Sequence, residues 1–349
     1  MNLRSEIGQL DIDEVVNNEY INWEFLRNSS IMVTGATGLI GSLLVNSIID
    51  ANKIFNLNIT ILALVRNKEK AVKKFGEENA CLKYIIQDII EPIKYDSKVD
   101  FIIHTANTTT SKEFVEKPVE TINSIYIGTD NILKFATKYG AKSVVYLSSM
   151  EVYGQTNFEN ITPLKENEYG YIDILKPRSS YPEAKRLAEC LCANYYNEFS
   201  TPVKIGRLVQ TVGAEVDYND NRVFAQFARN IVENKDIVLH TKGESTRNMC
   251  YVTDAVSAIF KILEKGINGD CYNIANEKTT CSVKEMAEML CLKYKNVKLK
   301  IDLENSNSCY YSPKTRTVLN NEKLKNLGWE AKVSVEEMFG RLITNFKTI

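Results

Sequence analysis

The sequence predicts an α/β protein, built as a doubly wound parallel sheet followed by a smaller mixed α/β lobe toward the C-terminus. Three observations predict it. Short apolar runs of strand length recur at Ile31 to Val33, Ile59 to Leu64, Tyr84 to Ile86, Asp100 to His104, Ser143 to Leu147 and Val203 to Leu208, with helical periodicity between several of them. The first run passes directly into Gly35-Ala36-Thr37-Gly38-Leu39-Ile40-Gly41 and then into a helical stretch from Leu43 to Ile49. After Gly213 the alternation breaks into shorter pieces, with helices expected near Phe224 to Glu233, Ala255 to Glu264 and Val283 to Leu292. The expected division is an N-terminal helical extension over 1–29, a glycine-loop domain over 30–213 and a smaller lobe over 214–349, with some elements crossing between the last two.

Taken in order, Asp11 to Leu26 spaces Val15, Val16, Ile21, Trp23, Phe25 and Leu26 among acids and asparagines, the pattern of an amphipathic packing helix. The strand, glycine turn and helix that follow form a Rossmann-like unit. Glycines at 35, 38 and 41 allow a tight turn, close backbone approach to a pyrophosphate and close packing of helix on strand. Gly35, Thr37, Gly38, Leu39, Ile40 and Gly41 are therefore candidate cofactor-binding residues. The next strand ends in Val65-Arg66-Asn67-Lys68, where an NAD site would place an acid for the ribose hydroxyls. Arg66 instead suits a 2′-phosphate, with Lys68 assisting, so NADP(H) is favoured and NAD(H) is the alternative. Asp88 and Ile89, after the third strand, fall on the adenine side, and Ala106, after the fourth, comes close to the cofactor. His104 reads as a packed core residue. A helix from Thr121 to Tyr139 carries Asn123, Gly128, Thr129 and Asn131, whose amides would need partners if buried. The strand from Val203 to Leu208 is expected to close the sheet.

Chemistry belongs where the fifth strand delivers Ser148-Ser149-Met150-Glu151 to the same sheet edge as the glycine loop. Downstream, Pro177-Arg178-Ser179-Ser180 opens a helix carrying Tyr181 and Lys185, four residues apart and hence on one face. A phenol with a free pKa of about 10 works as a proton acceptor near neutrality only beside a cation, and Lys185 is expected to be that cation.

Composition narrows the function classes. The 43 basic and 44 acidic residues leave a net charge of -1, which gives no reason to invoke nucleic acid or a membrane surface. Met1 to Ser30 lacks the pattern of a signal peptide and no run of roughly 18 apolar residues occurs, so a soluble cytoplasmic protein is expected. Eight cysteines without a Cys-x-x-Cys pair and two histidines point to reduced, mostly buried thiols and to no metal. Cys190 and Cys192 sit at a spacing that turns their side chains apart.

With the glycine loop, the serine strand end and Tyr-x-x-x-Lys in this order, the chain resembles the extended short-chain dehydrogenase/reductase superfamily, in its nucleotide-sugar epimerase, dehydratase and decarboxylase branch. The resemblance spans roughly residues 30 to 345 and includes Asp88, Asn123 with Gly128-Thr129, the run Thr246-Arg247-Asn248-Met249-Cys250-Tyr251-Val252-Thr253-Asp254, and Leu327-Gly328-Trp329. Lys176-Pro177-Arg178-Ser179-Ser180-Tyr181-Pro182-Glu183-Ala184-Lys185-Arg186 and Asp220-Asn221-Arg222-Val223 look most similar to UDP-glucuronate decarboxylases.

That resemblance implies catalytic roles for Ser149, Tyr181, Lys185 and Glu151, with Lys185 also holding the nicotinamide ribose. It implies a substrate pocket formed by Ser149, Met150, Gln210, Arg222 and Arg247, the arginines gripping a pyrophosphate. It also implies a nucleotide-sugar-like substrate and a homodimer built on the two long helices. Met150 replaces the acid or hydroxyl residue that dehydratases and decarboxylases use, and a thioether donates no proton, so dehydration is disfavoured and decarboxylation is weakened, though Glu151 keeps it open. The leading expectation is NADPH-dependent keto reduction of a nucleotide-linked sugar or polyol precursor. The alternatives are an NAD-retaining epimerase or UDP-glucuronate-type decarboxylase, which Glu151 favours, and a non-catalytic dinucleotide-binding protein.

Overall fold

Ser5 opens the first helix, α1 (Glu6–Val16), by accepting a hydrogen bond from the Gly8 amide. The computed structural model describes residues 4–107, 111–157, 159, 161–303 and 314–348. The helix stops well short of the Asp11 to Leu26 span that its apolar pattern predicts. Asn17 ends it, and the Asn18 side chain takes the Tyr20 amide at 3.0 Å, so local side-chain acceptors displace the helical ladder. Trp23–Leu26 is only a 3-10 turn.

The body then alternates: β1 (Ser30–Thr34), α2 (Leu39–Phe55), β2 (Thr60–Val65), α3 (Lys68–Phe75), β3 (Leu82–Ile86), β4 (Phe101–His104), α4 (Ser111–Glu116), α5 (Pro118–Tyr139), β5 (Ser143–Ser149), α6 (Ser180–Phe199) and β6 (Val203–Leu208). Shorter elements follow: β7 (Gln210–Val212), α7 (Val223–Val232), β8 (Ile237–Leu239), β9 (Thr246–Tyr251), α8 (Val252–Lys265), β10 (Cys271–Ile274), β11 (Asn276–Ser282), α9 (Val283–Lys293), β12 (Leu299–Ile301), β13 (Arg316–Thr317), α10 (Glu322–Lys325) and α11 (Val335–Phe346).

Seven strands form a parallel sheet in the order β10-β6-β5-β4-β1-β2-β3. Because neighbouring side chains on a strand point to opposite faces, Ile31 and Val33 enter one core while Met32 enters the other. Helices α2 and α8 cover the first face with Val45, Ile48, Ile259 and Leu263; α5 and α6 cover the second with Ile125, Leu133 and Ala188. The sheet does not close at Leu208 as the sequence suggests. Cys271–Ile274 returns from the C-terminal part to pair with β6, and the pairing buries Tyr272 and Ile274. A second sheet, β11-β9-β13 with β7 on β9, and a β8–β12 pair make up the smaller lobe.

Side-chain environments refine three expectations. His104 is a core residue, bonded to Thr34 Oγ1 at 2.7 Å and Thr129 Oγ1 at 3.4 Å, and burial pushes it down to about 3, so it is neutral. Asn123 is exposed and needs no protein partner, whereas Asn131 donates to the Ile89 carbonyl at 3.0 Å. Of the seven described cysteines, all free, only Cys192 and Cys250 are fully buried; Cys190 lies on the outward face of α6, and Cys309 falls outside the described residues.

The sheet also buries a charge. Arg207 on β6 is 1% exposed and holds Glu189 of α6 through Nε and Nη2, the latter at 2.7 Å. It further donates to Tyr153 Oη at 3.0 Å, Tyr169 Oη at 2.6 Å and the Glu166 carbonyl at 2.7 Å. Removing one member leaves the other as an uncompensated buried charge. Arg207→Met is expected to lower unfolding free energy by about 3–5 kcal/mol in denaturant titration, and a loss below ~1 kcal/mol would contradict this account.

Candidate active site

The glycine loop is shaped by close approaches that only glycine permits. Gly35 has φ +61°, and a Cβ there would meet Ala106 Cα at 2.8 Å. At Gly41 a Cβ would collide with the Gly35 carbonyl and lie 2.9 Å from Ala36 Cα, so α2 packs directly on the β1 turn. Gly38 caps α2 without a side-chain acceptor, and no acid occupies the first turn. The leading amides, at Leu39, Ile40 and Gly41, therefore present unclaimed donors at the positive end of the helix. Thr37 is half-buried beside them. This cradle fits the pyrophosphate of a nicotinamide dinucleotide.

At the other side of the crevice between β1 and β4, Arg66 follows β2 with its side chain 81% exposed, 4.0 Å from Asp88. Asp88 accepts the Ile90 amide at 3.2 Å. Ile89 is buried, and a Cβ on Gly128 would lie 3.0 Å from it, so α5 closes tightly on this loop. Ala106 is held beside Gly35 by the Thr34 hydroxyl, which accepts its amide at 3.1 Å. The residues expected to hold a dinucleotide thus lie on the β1 turn and the loops after β2, β3 and β4.

The reactive groups meet at the end of β5. The Ser149 hydroxyl accepts the Glu151 amide at 3.2 Å and lies close enough to the Tyr181 phenol to favour its ionised form. Tyr181 stands in the first turn of α6, where Pro182 costs nothing because a first-turn amide has no helical acceptor. Burial pushes Tyr181 up to about 12; Ser149 opposes that rise, Glu151 adds to it, and Arg178 and Arg222 oppose it. Lys185 stays beside the Tyr181 ring but spends a donor on the backbone. Its ammonium is buried and donates to the Leu147 carbonyl at 2.7 Å, 5.8 Å from the Tyr181 ring centre. Burial lowers it to about 7, with Glu189 one turn further on pulling the other way.

Arginines surround this core. Arg178 donates to Glu151 Oε1 at 2.8 Å. Arg222 is tied to Asp220 through Nε and Nη2, the latter at 2.7 Å. Arg247 has no hydrogen-bond partner among the described residues; burial lowers its pKa and Glu151 counters that. The Gln210 side-chain oxygen is buried without a partner, as is that of Asn107. Met150 is half-buried behind the serine.

Three contributors are not among the site residues expected from the sequence. Phe114 of α4 stacks on Tyr181 with ring centres 4.2 Å apart, and nothing in its apolar spacing marks it as more than packing. Arg178 precedes Tyr181 by one helical turn, a signal that was legible in the spacing. Arg316 sits on β13 beside β9, its Nε buried and unpartnered, and no sequence pattern links it to Arg247. Among the described residues no group of histidines, cysteines and acids is arranged to hold a metal.

The sheet order, glycine cradle and clustered Ser149, Tyr181 and Lys185 define an enzyme of the extended short-chain dehydrogenase/reductase type. A family model described as the NAD dependent epimerase/dehydratase family matches residues 31–275, and the chain belongs to that family. It is 30% identical over 315 residues to UDP-glucuronic acid decarboxylase 3 of Arabidopsis thaliana, covering 89% of this chain and 86% of that one. Two solved structures share the fold. One is DesIV, a dTDP-glucose 4,6-dehydratase of Streptomyces venezuelae with NAD and TYD bound (TM-score 0.75, 19% identity, 91% of this chain and 97% of that chain). The other is RMD of Pseudomonas aeruginosa complexed with NADPH (TM-score 0.69, 20% identity, 92% and 100%).

Gly41→Ala is expected to weaken dinucleotide binding by at least about tenfold (about 1.4 kcal/mol), read from protein fluorescence during titration with NAD or NADP. Unchanged affinity would show that the cradle does not hold the cofactor.

Proposed function

We propose that this chain is a decarboxylase of nucleotide-linked hexuronic acids, of the UDP-glucuronate type. The observation that carries it is Glu151, a carboxylate paired with Arg178 and acting electrostatically on both Tyr181 and Arg247. The curated relative named a UDP-glucuronic acid decarboxylase supports the same reading. Net reduction of a keto sugar, the leading expectation from Arg66 and Met150, has no comparable support. Met150 also leaves elimination of a hydroxyl without its usual proton donor.

A bound nicotinamide dinucleotide supplies a hydride acceptor and returns the hydride later. Tyr181 Oη takes the proton of the sugar hydroxyl β to the carboxylate as that carbon becomes a ketone. The Ser149 hydroxyl favours the ionised phenol. The substrate is then a β-keto acid: the carbon–carboxylate bond breaks, its electron pair passes to the ring carbon as an enolate, and carbon dioxide leaves. A proton adds at that carbon, and Tyr181 returns its proton to the ketone oxygen. Arg178 and Arg222 bias the phenol toward ionisation, and Arg247, desolvated and unpartnered among the described residues, suits the substrate pyrophosphate.

Arg66 supports NADP(H) over NAD(H) as the bound dinucleotide. Neighbouring folds carry NAD in one case and NADPH in the other, and here an exposed guanidinium stands where an acid would exclude a 2′-phosphate. We also assign a homodimer face to Val119, Ile122 and Tyr126 of α5 with Leu187 of α6, all exposed apolar side chains. The free thiols accord with a reducing, cytoplasmic setting. No helix among the described residues is long and apolar enough to cross a membrane.

Incubation with UDP-glucuronate is expected to release carbon dioxide and a UDP-pentose, with Tyr181→Phe lowering kcat by roughly 10²–10⁴. No carbon dioxide from the wild-type protein, or full turnover by the phenylalanine variant, contradicts this reading. In a separate titration, Arg66→Asp is expected to shift the NADP-to-NAD affinity ratio toward NAD by at least about tenfold. An unmoved ratio would remove Arg66 from the cofactor site.

A further inference from the structure

We propose that Arg178 is the carboxylate-binding residue of the sugar subsite, and that it selects a nucleotide hexuronate over the matching neutral nucleotide hexose. The inference rests on the decarboxylase reading and deepens it.

Such a substrate carries two kinds of anion, a diphosphate and a sugar carboxylate, and the reacting hydroxyl at Tyr181 lies on the carbon next to the one bearing the carboxylate. The group that reads the carboxylate must therefore stand beside Tyr181. Arg178 does. It leaves the Pro177–Ser179 3-10 turn one helical turn ahead of Tyr181. Its guanidinium lies over the Phe114 ring, 5.0 Å from the centre, while the Phe114 ring stacks on Tyr181 at an interplanar angle of 14°. This layering fixes the plane of the fork relative to the phenol. Only Nη2 is engaged, by Glu151 Oε1 at 2.8 Å; Nε and Nη1 have no partner among the described residues, and the side chain is 36% exposed.

Two other arginines of the site are differently placed. Arg222 is committed to Asp220 and laid over Phe224, 4.8 Å from its ring centre. Arg247 belongs to β9, in the smaller lobe. A planar fork with spare donors binds a carboxylate through two parallel hydrogen bonds. Glu151 alone would repel a second carboxylate, so the two acids share the site only with the Arg178 charge between them. A neutral hydroxymethyl group in the carboxylate's position forms no charge-assisted pair with the fork, which is the basis of the selection.

The test measures binding of UDP-glucuronate and UDP-glucose by calorimetry to the dinucleotide-loaded protein and to Arg178→Met and Arg178→Lys, with thermal melts of each. Arg178→Met is expected to weaken UDP-glucuronate by at least about 30-fold while UDP-glucose stays within about threefold. Arg178→Lys keeps the charge but not the fork, and is expected to lose about tenfold of the discrimination while remaining folded. If both ligands weaken together, or if the ratio of affinities is undiminished in the folded variants, the assignment is overturned. Absence of carbon dioxide release by the wild-type protein overturns the decarboxylase reading instead, and that outcome is scored apart from the binding ratio.

Discussion

The buried ammonium of Lys185, held by the carbonyl of Leu147, is the contact on which the geometry of the site depends. A desolvated cation is tolerated only where acceptors meet it, and the acceptor here is the backbone of β5 just before its strand ends. The bond pins α6 to the sheet. With α6 pinned, Tyr181 one turn earlier is delivered to the hydroxyl of Ser149, and Glu189 one turn later is delivered to Arg207. One helix thus links the reactive phenol to the buried charge pair of β6.

The site sets opposing influences on one phenol. Burial under Phe114 and the nearby Glu151 carboxylate hold Tyr181 high, while Ser149, Arg178 and Arg222 pull against them. The same burial that raises the phenol lowers Lys185 and Arg247, since a low dielectric penalises whichever form is charged. Anionic substrate chemistry suits such a setting. Arg247 has no hydrogen-bond partner among the described residues, and Arg178 has donors to spare.

Much of the framework was legible because it rests on local rules. The strand, glycine turn and helix at Ile31 to Ile49 require no distant partner to be recognised, and the structure places Gly35 and Gly41 where a side chain would collide. Other readings failed where a remote contact decided the outcome. The helix expected from Asp11 to Leu26 breaks at Asn17 and Asn18 because the Asn17 side chain donates to the Asp13 carbonyl and the Asn18 side chain takes the Tyr20 amide. The strand at Cys271 joins the main sheet by pairing with β6, a contact that no window of sequence contains. Phe114 gives no signal because an aromatic on a short amphipathic helix looks like core packing until its neighbour is known.

By itself the sequence determined the doubly wound framework, the glycine cradle and the order in which Ser149, Tyr181 and Lys185 arrive at one sheet edge, since periodicity and backbone sterics act over a few residues. Only the tertiary structure decided which charges face one another. It set Lys185 on the Leu147 carbonyl beside the Tyr181 ring, set Arg178 between Phe114 and Glu151, and left Arg247 desolvated. Ionisation and charge pairing depend on burial and on distances of a few ångströms between residues far apart in the chain, and folding alone supplies those.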